Sequence, residues 1–483
     1  MINADDLYQQ ALNEARTNRT AAALEHLDAY LKERPHHGAA WNDAGAVLYA
    51  EGRFDEAIQY FRRAVETDVC PVQVYRNLAK AYLAAGQPWQ AMRWFDTLRS
   101  EGLLDEALVQ HIADGFIAAD EPASAMDVLH RGRRALPEAR QLDAQIAAFR
   151  TKRAKIAFFV GGDGANFLND IIEFTRRRYE VRIFEGGSEK QLMELMQWSD
   201  ISWFEWCTNL AQIGTSLPKV CRTIIRLHRY EAYDPWPAQI NWDHVDVLVT
   251  VGNEWVLKAA EYWVKDLRSR VPIVCIPNGV NPETHPYTSR RPGRNIAFIG
   301  ALRMVKNPML LFQCMAALKK KDPHYRLFIA GQVKELLMQH VYEHTRSAME
   351  LEDVIVYDGF QDDIPHWLAD KQYLVSTSVI EGCPMGILEA MAAGIKPVIF
   401  NFPGAEELFG RDYLFTTPEE FCRRICEPHY DSQAYRAFVE RRYPLSAQLL
   451  RINELFAMFE KNPWTEKSAQ HTAKCSGLAA LTV

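Results

Sequence analysis

Two glutamates eight residues apart bracket the stretch Glu381-Gly382-Cys383-Pro384-Met385-Gly386-Ile387-Leu388-Glu389. Glycine and proline mark its first half as a turn, and the residues after Gly386 read as the start of a helix. Glycines at 382 and 386 lift the steric barrier to close approach, so backbone N–H groups there are open to a ligand. A helix N-terminus at that point favours an anionic phosphate. A carboxylate accepts strongly from hydroxyl groups, at about 1.5–3 kcal/mol per charged hydrogen bond. One glutamate per ring therefore suits two groups that each carry vicinal hydroxyls, a sugar and a ribose.

Other residues join this constellation. Lys306 and Arg303 follow the apolar run that ends at Gly300. Gly161-Gly162-Asp163-Gly164 follows another apolar run and reads as a βα turn that lets a ligand lie close. His228 ends a third run, and Glu205, after a fourth, is a candidate for acceptor binding or base catalysis. Each has a plain competitor. Glu381 and Glu389 can be capping and surface acids, Lys306 a solvated lysine, and His228 a hydrogen-bonded structural histidine.

The apolar runs are what must position these side chains. From residue 155 they read as buried parallel strands at 156–160, 181–184, 201–204, 223–227, 247–251 and 272–276, separated by helical patterns. A Pro/Gly/Asn-rich linker at 277–286 follows, and a second series runs through 295–299, 326–330, 354–357, 373–376 and 397–400. Alternating strands and helices imply two doubly wound domains in tandem, 153–285 and 286–462, with a helix at 446–461 closing the second. Ligands of such sheets bind outside the carboxyl ends of the strands. The tail, 463–483, is expected to be loosely ordered.

The first 152 residues have a different period. Blocks of 34 residues starting at Ala4, Gly38, Val72 and Glu106 align without a gap. Their eighth positions are Ala11, Gly45, Ala79 and Ala113, and their twentieth are Ala23, Ala57, Ala91 and Ala125. Small residues there let two antiparallel helices pack closely, with Leu27, Phe61, Phe95 and Leu129 filling the space beneath. This pattern resembles the tetratricopeptide repeat, with residues 139–152 as a capping helix. Such a solenoid offers a groove to a protein, a peptide or a second copy of the chain, so a homodimer is one option. The plain alternative is a spacer or dimerisation module.

Composition narrows the partners. The 483 residues are 48% hydrophobic and 24% charged, with a net charge of −7 and no Lys/Arg run, so nucleic acid is not expected. The acidic start and the lack of an 18-residue apolar stretch argue against a signal peptide and a membrane span, and make the cytoplasm the expected address. Nine cysteines are scattered with no C-x-x-C pair, as suits buried thiols in a reducing compartment, and no metal site is expected.

Glu381 to Glu389 resembles the E-x7-E motif of retaining glycosyltransferase family 4, of the two-domain B-type fold. Phe298-Ile299-Gly300 with Lys306-Asn307-Pro308, Ile329-Ala330-Gly331, Tyr357-Asp358-Gly359-Phe360, Ile276-Pro277-Asn278-Gly279-Val280, and Pro397-Val398-Ile399 with Gly404 and Glu407 resemble further family elements in order. The resemblance spans about residues 155–460. It implies that Glu389 binds ribose hydroxyls, Glu381 the donor sugar and Lys306 the diphosphate. It also implies that Gly331, Phe360, Gly382, Met385 and Gly386 frame the donor, and that Gly161, Gly162 and His228 face it from the first domain. Family members carry arginine where this chain has Ala301, and Arg303 is the candidate substitute. The implied reaction is metal-independent and cofactor-free transfer from a UDP-sugar or GDP-sugar with retention of configuration. The fused repeats point to a protein or peptide acceptor. A cell-envelope polysaccharide or lipid-linked glycan transferase, and an inactive scaffold, are the alternatives.

Overall fold

The structure is a computed structural model and describes residues 4–161, 164, 167–333 and 335–466. It divides into two compact units, residues 1–153 with 177–180, and 154–176 with 181–483.

The first unit is all helical. Four antiparallel pairs run Ala4–Arg16 with Thr20–Glu33, Gly38–Ala50 with Phe54–Val65, Gln73–Ala84 with a broken partner, and Glu106–Ala118 with Pro122–Ala135. The broken partner is split into Pro88–Met92 and Phe95–Ser100. Arg140–Arg150 caps the stack with Leu142 buried. The periodic alanines Ala11, Ala23, Ala57, Ala79, Ala91, Ala113 and Ala125 are completely buried. A Cβ on Gly45 would lie 2.7 Å from the Phe61 ring, so only glycine lets the second pair close. Each pair turns through a left-handed residue 34 positions from the last: Asn18, Gly52, Gly86 and Asp120. Glycine, asparagine and aspartate are the residues that visit this conformation most readily. Hydrogen bonds between successive repeats stitch the stack, including Tyr8 to Asp43 at 2.6 Å, Tyr60 to Asp28 at 2.8 Å and Asn77 to Asn42 at 2.9 Å.

The second unit holds two six-stranded parallel sheets. The first comprises β1 (Lys155–Phe159), β2 (Glu180–Phe184), β3 (Ile201–Phe204), β4 (Arg222–Leu227), β5 (Val247–Thr250) and β6 (Ile273–Cys275), in the order β2-β1-β3-β4-β5-β6. The second comprises β7 (Asn295–Ile299), β8 (Arg326–Ala330), β9 (Ile355–Gly359), β10 (Tyr373–Ser376), β11 (Lys396–Phe400) and β12 (Leu414–Phe415), in the order β12-β11-β10-β7-β8-β9. β12 has only two residues, too short for an apolar run to reveal. β3, β5 and β10 are buried along their whole length, because helices cover both faces. Strand order reverses between β1 and β3 and between β7 and β10, which places the two crevices at the carboxyl ends of those strands.

The chain passes between the sheets twice, and the two passes pair. Val280 donates to Tyr443 O at 2.8 Å and Leu445 donates to Val280 O at 3.0 Å. A Cβ on Gly279 would sit 2.7 Å from Leu445 N, so glycine is needed where the passes touch. The helix Leu445–Lys461, expected with the second domain, brings Phe456 against Phe158 and Trp203 of the first sheet. The tail from 467 onward lies outside the described residues.

Candidate functional site

Four loops build the second-domain side, and they are tied by backbone. After β7, Gly300 takes φ +136° and donates to Ala330 O at 2.8 Å. A side chain at Gly300 would begin 3.3 Å from Lys306 Cε, so glycine clears the lysine's path. Thr377 Oγ1 donates to Lys306 O at 2.7 Å and Val379 donates to Val305 O at 2.9 Å, which fastens the β10 loop to the β7 loop. Gly331 donates to Gly359 O at 2.8 Å, and the Tyr357 hydroxyl donates to Gly331 O at 2.5 Å, which joins the loop after β8 to the end of β9.

On this frame Lys306 Nζ lies 2.5 Å from Glu381 Oε1. Two residues 75 positions apart, nominated for adjoining parts of one ligand, are thus direct neighbours. Arg303 is exposed on the same loop. Phe360 extends an exposed ring past the end of β9. Glu389 and Met385, on the helix Met385–Ala392, line a cavity of about 300 Å³ with Phe167, Asp170, His285 and Gln448. Among the described residues that lining has two carboxylates and no lysine or arginine, so it suits a neutral, hydroxyl-bearing group and not a phosphate. Burial holds the Glu389 carboxyl above the usual carboxylate range, with nearby His285 acting in the other direction.

The glycines of the motif would meet only ordinary van der Waals contacts if they carried a Cβ, so packing does not account for them. The Cβ position of Gly386 is 3.5 Å from Ile299 at the end of β7. That of Gly382 is 3.4 Å from Val251 and 3.6 Å from the Arg229 Cβ of the first domain. Gly161 follows β1, its Cβ position 3.8 Å from Leu210. Gly162 lies outside the described residues.

His228 is nearly enclosed, and its partners here belong to the first domain. Its ring Nε2 is 3.0 Å from Glu205 Oε1, and it packs on Trp206 and Phe167. Burial opposes the charge on Glu205, but Arg226 and His228 outweigh it and hold the carboxyl below its ordinary value. Burial lowers the His228 pKa more than Glu205 raises it. A neutral imidazole beside an ionised carboxylate therefore carries its proton on Nε2 and a lone pair on Nδ1. The His228 backbone N–H donates to Glu231 Oε1 at 2.6 Å, and burial pushes the Glu231 carboxyl up to about 7.

Three residues at this junction had no role assigned from the sequence. Arg226 is the hub of the buried group: it donates to Glu205 at 2.9 Å, to Phe167 O at 3.3 Å and to Asn278 Oδ1. The signal was a lone arginine in the otherwise apolar strand run Ile224-Ile225-Arg226-Leu227, which demands a buried counter-charge. Asn278 lies on the pass between the sheets, and its carbonyl accepts from Cys383 Sγ at 3.7 Å. Asn253, after β5, reaches the second domain. Among the described residues no group of three or more His, Cys, Asp or Glu side chains is placed to hold a metal, and no helix is long and apolar enough to cross a membrane.

Comparison with known proteins bears on the family and the fold. Residues 293–429 match the family model of glycosyl transferases group 1, and residues 8–68 and 48–114 match tetratricopeptide repeat models. The GDP-mannose:cellobiosyl-diphosphopolyprenol alpha-mannosyltransferase of Komagataeibacter xylinus is 26% identical over 131 residues, 27% of this chain and 33% of that protein. Glycosyltransferase 1 domain-containing protein 1 of Xenopus tropicalis is 28% identical over 127 residues, 26% of this chain and 36% of that protein. The chain thus spans about a third of the length of these curated relatives. Anabaena Alr3699/HepE in complex with UDP superimposes with a TM-score of 0.53 at 14% identity, over 63% of this chain and 99% of that one, a likeness of fold.

Proposed function

We propose that this chain, a glycosyltransferase group 1 domain in a two-sheet α/β unit behind tetratricopeptide repeats, moves a sugar from a nucleoside-diphosphate sugar to an acceptor with retention of configuration. The observation that carries the reading is the Lys306–Glu381 pair at 2.5 Å, formed by loops from the two strands that flank the switch point of the second sheet.

In this reading Lys306 faces the diphosphate and offsets the charge that builds on the leaving group, with Arg303 near enough in sequence to assist. Glu381 accepts from hydroxyls of the transferred sugar. Glu389 accepts from hydroxyls in a pocket free of lysine and arginine, which fits a ribose. Retention follows from attack on the face the diphosphate leaves, so no enzymic nucleophile is assigned. His228, neutral and fixed by Glu205, lies on the first-domain side.

Two acceptor classes stand. The repeats support a protein or peptide acceptor held by the solenoid. The Komagataeibacter relative, whose name specifies a diphosphopolyprenol-linked acceptor, supports a lipid-linked glycan.

Thermal stabilisation by uridine, guanosine and adenosine diphosphate sugars tests the donor. Ligand at about 100 times its dissociation constant adds roughly 2.7 kcal/mol. A shift with one base that Glu389→Ala removes supports the reading. No shift with any nucleotide sugar overturns it in favour of a scaffold, with Ala301 as the cause to examine by Ala301→Arg.

A further inference from the structure

Asn253 bonds the two halves of the second unit together. It precedes the helix Glu254–Trp263, and its Oδ1 caps that helix by accepting from Trp255 N–H at 3.0 Å. Its Nδ2 points the other way and donates to Glu381 O at 2.8 Å and Pro403 O at 2.7 Å. Its backbone N–H donates to Gly382 O at 3.3 Å. The residue is 3% exposed, so these bonds form without competition from bulk water.

Glycines on both sides make room for the joint. Gly252 has φ +148°, and a Cβ there would begin 3.1 Å from Gly382 O. Gly404 has φ +88°, and a Cβ there would begin 2.6 Å from Asn253 Cγ.

The bonds fall on one functional residue. Glu381 is held at its carboxylate by Lys306 of its own domain and at its carbonyl by Asn253 of the other. We propose that Asn253 is a positioning residue that sets the Glu381 carboxylate for the hydroxyls of the transferred sugar, so that sugar recognition depends on the first domain while diphosphate binding does not. This rests on the transferase reading above. Asn253 touches neither sugar nor phosphate, and acts through the backbone of the β10 loop.

Asn253→Asp isolates the joint. The carboxylate keeps an oxygen to cap Trp255, but replaces the amide N–H groups with an oxygen that faces two carbonyls. The expected result is a loss of roughly tenfold or more in kcat/KM for the nucleotide sugar, with the Kd for the free nucleoside diphosphate changed by less than about twofold. A protonated aspartate regains one O–H donor, so the deficit shrinks as pH falls toward the carboxyl range. Gly404→Ala presses on the same amide from the second domain and gives the same split, which covers the case in which Asn253→Asp does not fold.

Wild-type kcat/KM in both variants, with the wild type active, overturns the positioning role and leaves the transferase reading intact. Equal losses for the free diphosphate and for the sugar nucleotide also overturn it, because they mean that Asn253 only holds the domains together. A wild type that binds no nucleotide sugar overturns the transferase reading and this proposal with it.

Discussion

Glu231 carries a stability cost that pH controls. It sits completely buried at the start of the short helix Arg229–Ala232, and burial raises its pKa from 4.5 to about 7 against the pull of the His228 N–H. In the unfolded chain the carboxyl loses its proton near pH 4.5; in the folded protein it holds the proton to about pH 7. Between those values the folded state binds more protons, so stability falls as pH rises. The contribution is fully present below pH 4.5 and is lost above about pH 7. One pH unit across this window is worth about 1.4 kcal/mol, so the whole window amounts to roughly 3 kcal/mol. Glu231→Gln keeps the Oε1 acceptor for the His228 N–H and removes the titration. Urea unfolding of wild type and variant, followed by tryptophan fluorescence from pH 4.5 to 8, gives the difference directly. The variant is expected to gain on the wild type as pH rises, by roughly 3 kcal/mol at the top of the window. A difference that stays flat with pH refutes the argument, since it means the buried carboxylate finds compensation elsewhere.

Two further changes test the site. Arg226→Met removes the charged hub from Glu205, Phe167 and Asn278, and is expected to cost about 3–5 kcal/mol in denaturant unfolding, because it strands a buried carboxylate. The double variant Arg226→Met/Glu205→Gln is expected to recover part of that loss. Lys306→Ala is expected to lower kcat/KM by roughly 10²–10³-fold, with kcat affected more than KM, since it removes the cation proposed to face the departing diphosphate. Steady-state kinetics with the nucleotide sugar chosen by the stabilisation panel checks it.

How much of this was legible in the sequence depended on whether the signal was local. Eleven strands announced themselves as apolar runs, most plainly the central ones such as β3, β5 and β10, which are buried on both faces. The repeats announced themselves through alanines that sequence spacing alone placed in the core. A further periodic signal went unread: Asn18, Gly52, Gly86 and Asp120 recur every 34 residues because each turn needs a left-handed residue. The break between Pro88–Met92 and Phe95–Ser100 has no proline or glycine at the break itself to mark it. In the site, Lys306, Glu381 and Glu389 were legible as motif residues, but the direct contact between Lys306 and Glu381 was not. The contacts of Asn253, Arg226 and Asn278 were unreadable for a physical reason. Each residue matters through atoms 21 to 150 positions away, and no local pattern encodes such a partner.

The two ends of the proposed ligand are controlled differently, and this bears on the order of binding. Lys306 rides on loops after β7 and β10 that are bound to each other by Thr377 and Val379, and all of these groups belong to the second domain. Whatever the first domain does, the lysine keeps its backbone frame. Glu381 is different, since its carbonyl is bonded to Asn253 across the cleft while its carboxylate is bonded to Lys306. A movement of the first domain therefore acts on Glu381 before it acts on Lys306. In the proposed reading, phosphate capture then relies on the loop that carries Lys306, and selection of the sugar on the joint between the domains. On that reading the specificity step falls at closure, and the joint is built into the loop that carries the glutamate proposed to bind the sugar.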